Sequence, residues 1–448
     1  MRTCLILLIF VAGALSLCSL SPRDPFPMVA KRIGSKTAIL KGSSTPTLRL
    51  SLNETVIFYC PQGLEISRVE NTNYYNGYYN SNNNYNDNKK KINGPTANLK
   101  CGKDGIYSDG TRIQESITGS YIKCSTAASQ VLYESTKSLS GCDADAMTLI
   151  VGYKLPGLSD VKQLAMCYDL GASRLRFVKF MAYPPQNILL DMSKTDQVLN
   201  ELNLDKVIDS LPDYFHYTSD SEFQQLISDQ KQFGELYDSK LFEYSSLLQD
   251  QQQLKDLDDY KYLLKIVWLR SLRQGNWKHW LEALRVANDD NDEKFELRIG
   301  VSGVATLPLA QRCNVSRSLQ LEDGKGNSLT VPAYIWAHVR SLQPEGNAAD
   351  EFVLVAHNSP YVNVLELGTL CDDICSEIPW LSNSLFGGLH LLPMYGVVHC
   401  CRMDAVDKLT EFPFDKQQQQ PMLSEEVLTT ISTTTNDVDF PKFDFDNY

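Results

Sequence analysis

The sequence predicts an α+β protein, on three observations. Short alternating or β-branched runs fill much of residues 48–183 and return after residue 294. A mostly helix-forming stretch, 195–272, lies between them. A strongly amphipathic helix then starts at Asn276-Trp277. At 448 residues the chain is long for one core and suits two or three domains.

Residues 1–18 have the form of a signal peptide: Arg2 precedes the apolar run Leu5 to Leu17, with small Ser16 and Cys18 before a cut. No later apolar run is long enough to span a bilayer, so a soluble, secreted, extracellular protein without a membrane partner is expected. A cut after Cys18 leaves 41 basic against 54 acidic residues. That balance disfavours a strong nucleic-acid binder, which depends on Lys and Arg displacing counterions. It also leaves ten cysteines: Cys60, Cys101, Cys124, Cys142, Cys167, Cys313, Cys371, Cys375, Cys400 and Cys401. An even number in an oxidising compartment points to disulfides. The spacing of Cys371-x-x-x-Cys375 and Cys400-Cys401 lacks the paired C-x-x-C of a zinc ribbon. Asn53-Glu54-Thr55 and Asn314-Val315-Ser316 are glycosylation sequons.

Residues 19–46, with Pro22, Pro25, Pro27 and Pro46, are expected to be a polar, poorly ordered leader. A cysteine-containing β-rich domain, 47–184, follows. Leu48 to Leu52 alternates, and Val56 to Cys60 is β-branched and aromatic. The Asn/Tyr-rich tract 71–93 is too polar to offset its ordering entropy and is expected to be a disordered insertion. Strands resume at 121–124, 147–153, 164–168 and 175–183. The five cysteines of this half imply a bridge to the later half or a free thiol.

Pro184-Pro185 marks a plausible boundary to a second domain, 185–412. Leu241, Tyr244, Leu247 and Leu248 recur at helical spacing, and the apolar run Tyr260 to Leu272 suits a buried strand or a buried helix. Asn276 is placed to cap the next helix, whose Trp277, Trp280, Leu281 and Leu284 fall on one face. Phe295 to Val301 alternates as a half-buried strand, and Asp323 to Asn327 forms a hairpin turn between Leu321 and Leu329. Residues 413–448, with seven acids and two lysines, are expected to be a disordered acidic tail, with Phe440, Phe443 and Phe445 spaced along its end.

The stretch Arg273-Gln274-Gly275-Asn276-Trp277-Lys278-His279-Trp280-Leu281 resembles the N-x-G-[NA]-W-x-x-[LV]-E motif of the DNA/RNA non-specific endonucleases, the ββα-metal nucleases. Other segments fit in order: Gly303 to Pro308 for G-V-x-x-L-P, Pro332 to Trp336 for P-x-Y-x-W, and Asn358-Ser359-Pro360 for N-N-P. Cys60-Pro61-Gln62-Gly63, Cys371 to Cys375 and Gly396 to Cys401 resemble elements of the family's secreted insect members. The resemblance spans about residues 48–412. It implies a central antiparallel sheet with flanking helices, a strand at 260–272 before the metal helix, and, in active members, one Mg²⁺.

The chemistry of that family is missing from the matching positions. The Asn that holds Mg²⁺ falls on Arg273, and the Glu eight residues later falls on Leu281. The general-base His sits in D-R-G-H at a strand end upstream, yet residues 235–274 contain neither His nor Gly. His279 is expected on the solvated face of the helix. Arg273 either pairs with a nearby carboxylate, such as one of the 256–259 run, or with Lys278 contacts phosphate. There is no G-x-S-x-G, H-E-x-x-H or P-loop. Three readings follow: an inactive pseudo-nuclease that binds a protein, glycan or nucleic-acid partner and needs no cofactor; an Mg²⁺-dependent endonuclease with a rebuilt site; and a nucleic-acid binder without catalysis.

Overall fold

The computed structural model describes residues 18–408, except 34–35, 41–46, 69–89, 115–119, 127–129, 143–144, 155–159, 170, 172–173, 184–186, 192–198, 209–218, 230–239, 250–256, 291–293, 310–311, 323–327 and 362–369. The signal peptide up to residue 17, most of the Asn/Tyr tract, the acidic tail, Pro184-Pro185 and His216 therefore lie outside the described residues. The fold is mixed α+β and rich in strands.

The first unit is built from two sheets. One has the strand order 48–50, 18–22, 120–124, 64–68, 90–92; the other runs 111–114, 106–108, 96–101, 55–59, 28–33, 36–40, 187–191. Leu20, Leu50, Ile66 and Ile122 of the first sheet share one buried cluster with Val29, Val56, Phe58 and Leu99 of the second. Alternation at two-residue spacing supplies the inward-facing set of each strand. Cys18–Cys101 and Cys60–Cys124 join the sheets across that cluster.

Three expectations are corrected here. Residues 18–40 are not a loose leader. They supply three strands, because Leu20, Val29 and Ile39 find buried positions in sheets whose other strands come from much later in the chain. Cys18 is bonded to Cys101, and the cut expected after it would remove one half of that bridge. With Cys18 counted, the odd number in the N-terminal half disappears. Cys142–Cys167, Cys371–Cys401 and Cys375–Cys400 complete five bridges, none of which connects the two halves. Cys313 lies in the strand Arg312–Ser318, as does Asn314, with their side chains outside the described residues. Asn53 sits exposed in a turn with φ +67°, a left-handed conformation that Asn tolerates, and its side chain is open to solvent. The end of the Asn/Tyr tract, Lys90–Ile92, pairs as a strand with Leu64–Arg68.

The second unit is organised by a nine-stranded antiparallel sheet. Its strands, with the neighbouring hairpin, are β1 (Val131–Glu134), β2 (Ala146–Tyr153), β3 (Val161–Asp169), β4 (Arg174–Met181), β5 (Lys206–Val207), β6 (Phe242–Ser246), β7 (Lys265–Leu269), β8 (Phe295–Ser302), β9 (Tyr334–Ser341), β10 (Glu351–His357) and β11 (Val398–Cys401). The sheet order is β5-β1-β2-β3-β4-β8-β9-β10-β11. β4 pairs directly with β8, Val178 opposite Ile299. One sheet thus crosses the boundary expected at Pro184-Pro185, and the strand 187–191 just after it returns to the first unit. Prolines at a strand end interrupt pairing without ending a domain.

β8 is buried along nearly its whole length rather than on one face, because it sits at the centre of this sheet. Its polar side chains are accommodated accordingly: Glu296 accepts an ion pair from buried Lys179 at 3.3 Å, and the Arg298 guanidinium stacks on Phe177. The expected hairpin is present as strands Gln320–Glu322 and Ser328–Thr330, with Leu321 opposite Leu329.

One face of the sheet packs against the helices. α1 (Asp220–Asp229), α2 (Arg270–Gln274) and α3 (Asn276–Asp290) precede the short α4 (Pro379–Ser382) and α5 (Leu385–Leu389). α3 follows the expected apolar stripe: Trp277, Trp280, Leu284 and Ala287 are buried, while Arg285 bridges Glu282 and Asp289 on the solvent side. Trp268, Trp277 and Trp280 form an edge-on aromatic series with centroids 5.3 and 4.8 Å apart. The opposite face of the sheet carries Ile150, Phe177, Trp336 and Val355 under Leu199, Leu202 and Leu204.

The helical reading of Leu241 to Leu248 is overturned. Phe242–Ser246 is a strand, with Tyr244 opposite Val267, because β7 offers it a ladder that spacing alone cannot reveal. The run 260–272 divides into a 3₁₀ turn (Asp258–Leu264), β7 and α2. β7 pairs with β6 in a two-stranded sheet and is not the central strand expected before α3.

Candidate functional site

The motif residues sit where α2 breaks into α3. Gly275 closes α2, its N–H donating to the Ser271 carbonyl, and its own carbonyl opens α3 by accepting from the His279 N–H. A side chain here is excluded. A Cβ on Gly275 would lie 2.4 Å from the Tyr395 carbonyl oxygen and 2.5 Å from that of Ser271. Gly396, at φ +81°, is pressed in the same way against Leu272. The two glycines let the 393–396 segment lie directly on the α2–α3 junction.

Asn276 does not cap α3. Its side chain is fully buried, and its amide nitrogen donates to the carbonyls of Leu389 and Gly396, tying the helix start to the 385–396 segment. The Leu389 carbonyl, which also accepts from the Leu392 N–H, and the Gly396 carbonyl both face that amide and fix its orientation away from a capping geometry. The Asn276 Oδ1 is consequently buried without a hydrogen-bond partner.

Arg273 is half-buried and donates from Nη1 to Glu243 Oε1 at 2.9 Å. The Glu243 carboxylate also lies 3.6 Å from Arg270 Nε and accepts from Gln274 at 3.4 Å. The pairing expected for Arg273 is thus present, but its partner comes from β6 and not from the 256–259 run. Among the described residues, Glu243 alone is paired with these two guanidinium groups. Replacing Glu243 by Gln is expected to lower folding stability by about 1–2 kcal/mol, since a charge-assisted bond is lost at a partly solvated position. A denaturant titration measures this, and adding Arg273→Gln to that variant should recover part of the loss.

Leu281 lies one turn further along α3. Together with Leu247, Leu248 and Leu284 it lines a small apolar cleft against Phe180 and Leu297, and its carbonyl accepts from the Tyr183 hydroxyl at 2.8 Å. Leu247 and Leu248 directly follow the end of β6, a strand end upstream of the motif helix. The cleft would strip water from any carboxylate introduced at residue 281. Lys278 is exposed, one turn before Glu282.

Five of the six histidines are described. His279 is half-buried, its ring set edge-on to Tyr395 at 6.1 Å, and so is not on a wholly solvated face. His338 bonds Glu351 at 2.8 Å. His390 is clamped at both nitrogens, by the Gly387 carbonyl at 3.0 Å and Asp373 Oδ2 at 2.9 Å. Burial is the largest single influence and lowers its pKa, but the bond to Asp373, that carboxylate's charge and the Gly387 and Phe386 backbone together outweigh it and raise the pKa. Burial works upward on Asp373, and His390 with the Cys400 N–H nonetheless holds it below its usual range. Both partners are acceptors, which favours the doubly protonated ring and occupies both nitrogens, so His390 is not placed to act as a base.

Sequence reasoning missed the pair His357 and His399. Both are buried, with rings 5.4 Å apart, and among the described residues His357 Nε2 and His399 Nδ1 have no hydrogen-bond partner. Burial, and secondarily His399, lowers the His357 pKa to about 4; burial also lowers that of His399. The only signal in the sequence is their position in apolar strands, His357 ending β10 and His399 within β11.

Among the described residues, three potential metal ligands converge only at Asp373, Cys375 and Cys400. The Cys375–Cys400 disulfide removes both thiolates, so this is not a cation site. The residues at the motif do not fit Mg²⁺ either: a guanidinium stands at 273, an apolar side chain at 281, and Arg273 has no histidine among its described contacts. No step through a metal is derived. No family model matches the chain, and no curated protein matches it.

Proposed function

We propose that this is a secreted, catalytically inactive relative of the DNA/RNA non-specific endonucleases that acts by binding a partner. The observation that carries this reading is the Arg273–Glu243 pair, taken together with the leucine-lined cleft at Leu281. A permanent cation fills the place where that family holds its metal, and the place of its carboxylate is apolar. Neither change can be reversed by a rotamer. Five disulfides and the absence, among the described residues, of a helix able to cross a membrane are compatible with an extracellular protein.

The test is direct. Purified protein incubated with DNA and with RNA, in Mg²⁺ or Mn²⁺, is expected to leave both polymers intact. Degradation abolished by a chelator would instead establish a rebuilt nuclease site. Retention on nucleic acid that falls with salt, and falls again in an Arg273→Ala/Lys278→Ala variant, would make the partner a polynucleotide.

A further inference from the structure

The segment lying over the α2–α3 junction is apolar and carries no carboxylate of its own. No Asp, Glu, Lys or Arg occurs from Ile378 to Cys401. Within that span Leu385, Leu391, Leu392 and Met394 are exposed, at 63, 45, 43 and 71%. Scattered exposed leucines are ordinary, but four large apolar side chains within ten residues are not. The 393–395 turn rests against Gly275, which brings the patch up to Arg270 and Arg273. Those two guanidiniums share the single carboxylate of Glu243, and Lys278 is exposed on the next turn. A surface of this kind suits a ligand that is aromatic and acidic at once.

The chain carries such a segment. Asp437-Val-Asp-Phe440-Pro-Lys-Phe443-Asp-Phe445-Asp-Asn-Tyr448 interleaves four aromatic rings with four carboxylates. The described residues end at Lys408, and Phe440 stands 32 residues beyond. That tether spans up to about 100 Å, against a diameter of about 50–60 Å expected for a compact chain of this length. We infer that the acidic, phenylalanine-spaced segment 437–448 docks on the Leu385–Met394 patch and its flanking arginines. The net charge of −12 opposes approach to an anionic lipid surface and favours this occupant over a membrane. The docking does not depend on the nuclease resemblance.

The test uses a fluorescent peptide of residues 436–448 and three forms of the full chain: unaltered, F440S/F443S/F445S, and that triple variant with L391S/M394S added. A tethered tail competes at an effective concentration on the order of millimolar. The triple variant is therefore expected to bind the peptide at least about tenfold more tightly than the unaltered chain. Adding L391S/M394S should weaken that binding by at least about tenfold, since two large apolar contacts are lost. Adding L391S/M394S to the triple variant should leave that variant's denaturation midpoint in place, which separates lost docking from lost folding. Equal peptide binding by the unaltered and triple-variant chains, or none by either, overturns the proposal. So does flotation with phosphatidylcholine–phosphatidylserine vesicles that requires Leu391 and Met394 but ignores the tail.

Discussion

Replacing Asn358 by leucine is expected to cost roughly 4–6 kcal/mol of folding free energy, because it strands three buried backbone groups at about 1–3 kcal/mol each. Asn358 is fully buried at the end of β10. Its Oδ1 accepts from the Leu269 N–H at 2.6 Å. Its Nδ2 donates to the carbonyls of Val267 at 2.9 Å and Pro332 at 3.0 Å. One side chain thus joins the β6–β7 hairpin to the nine-stranded sheet at the point where β7 turns into α2. All three bonds are buried, so each backbone group would carry its desolvation cost once the amide is gone. The measurement is the shift in denaturant midpoint at unchanged slope. Asn358→Asp is the informative companion. It keeps the acceptor for Leu269 but offers nothing to the two carbonyls and buries a charge, so it should be no better than leucine. If Asn358→Asp were nearly neutral, the amide donors would be contributing little.

What the sequence made legible follows from how local each signal is. The stripe of Trp277, Trp280 and Leu284 needs only its own helix to be recognised, and the structure buries all three. The strand at 295–301 and the pairing of Leu321 with Leu329 are likewise local and are present. The failures are all cases in which the partner lies far along the chain. Residues 18–40 looked like a leader because their ladders are completed by residues 48–59, 120–124 and 187–191. Leu241 to Leu248 fits a helix by spacing, and only β7 makes it a strand. Asn276 has the composition of a cap, but the Leu389 and Gly396 carbonyls, more than 110 residues away, claim its amide. At the candidate site the loss of chemistry was legible at Arg273 and Leu281, whereas Glu243, Tyr395 and the two buried histidines were not. Partner choice at a site is a three-dimensional property, and a one-dimensional pattern narrows it without fixing it.

Acid should weaken the protein through His357, and the sign follows from its pKa. The folded-state value, about 4, lies below the ordinary 6.5, so the unfolded chain binds the proton more readily between these limits. The neutral ring's contribution is complete above pH 6.5 and is lost progressively as pH falls from 6.5 toward 4. A gap of that size corresponds to about 3 kcal/mol, at 1.36 kcal/mol per pH unit. The geometry explains why the gap is wide. His357 Nε2 has no acceptor among the described residues, the His399 ring lies 5.4 Å away and also disfavours charge, and Tyr334 closes the other side edge-on at 5.2 Å. His399 is depressed in the same direction and adds to the loss. His390 acts with the opposite sign: its raised pKa stabilises the fold at low pH and that contribution fades as pH rises through the folded value. Asp373, held below its usual range, weakens the fold only in the more acidic carboxylate window. Denaturation free energies measured from pH 7 to pH 4 on the unaltered chain and on His357→Phe isolate the effect, since the other groups cancel in the difference. The unaltered chain should lose about 3 kcal/mol more over that range. Parallel pH profiles for the two proteins would mean that the imidazole is solvated, or finds an acceptor, when it takes up its proton.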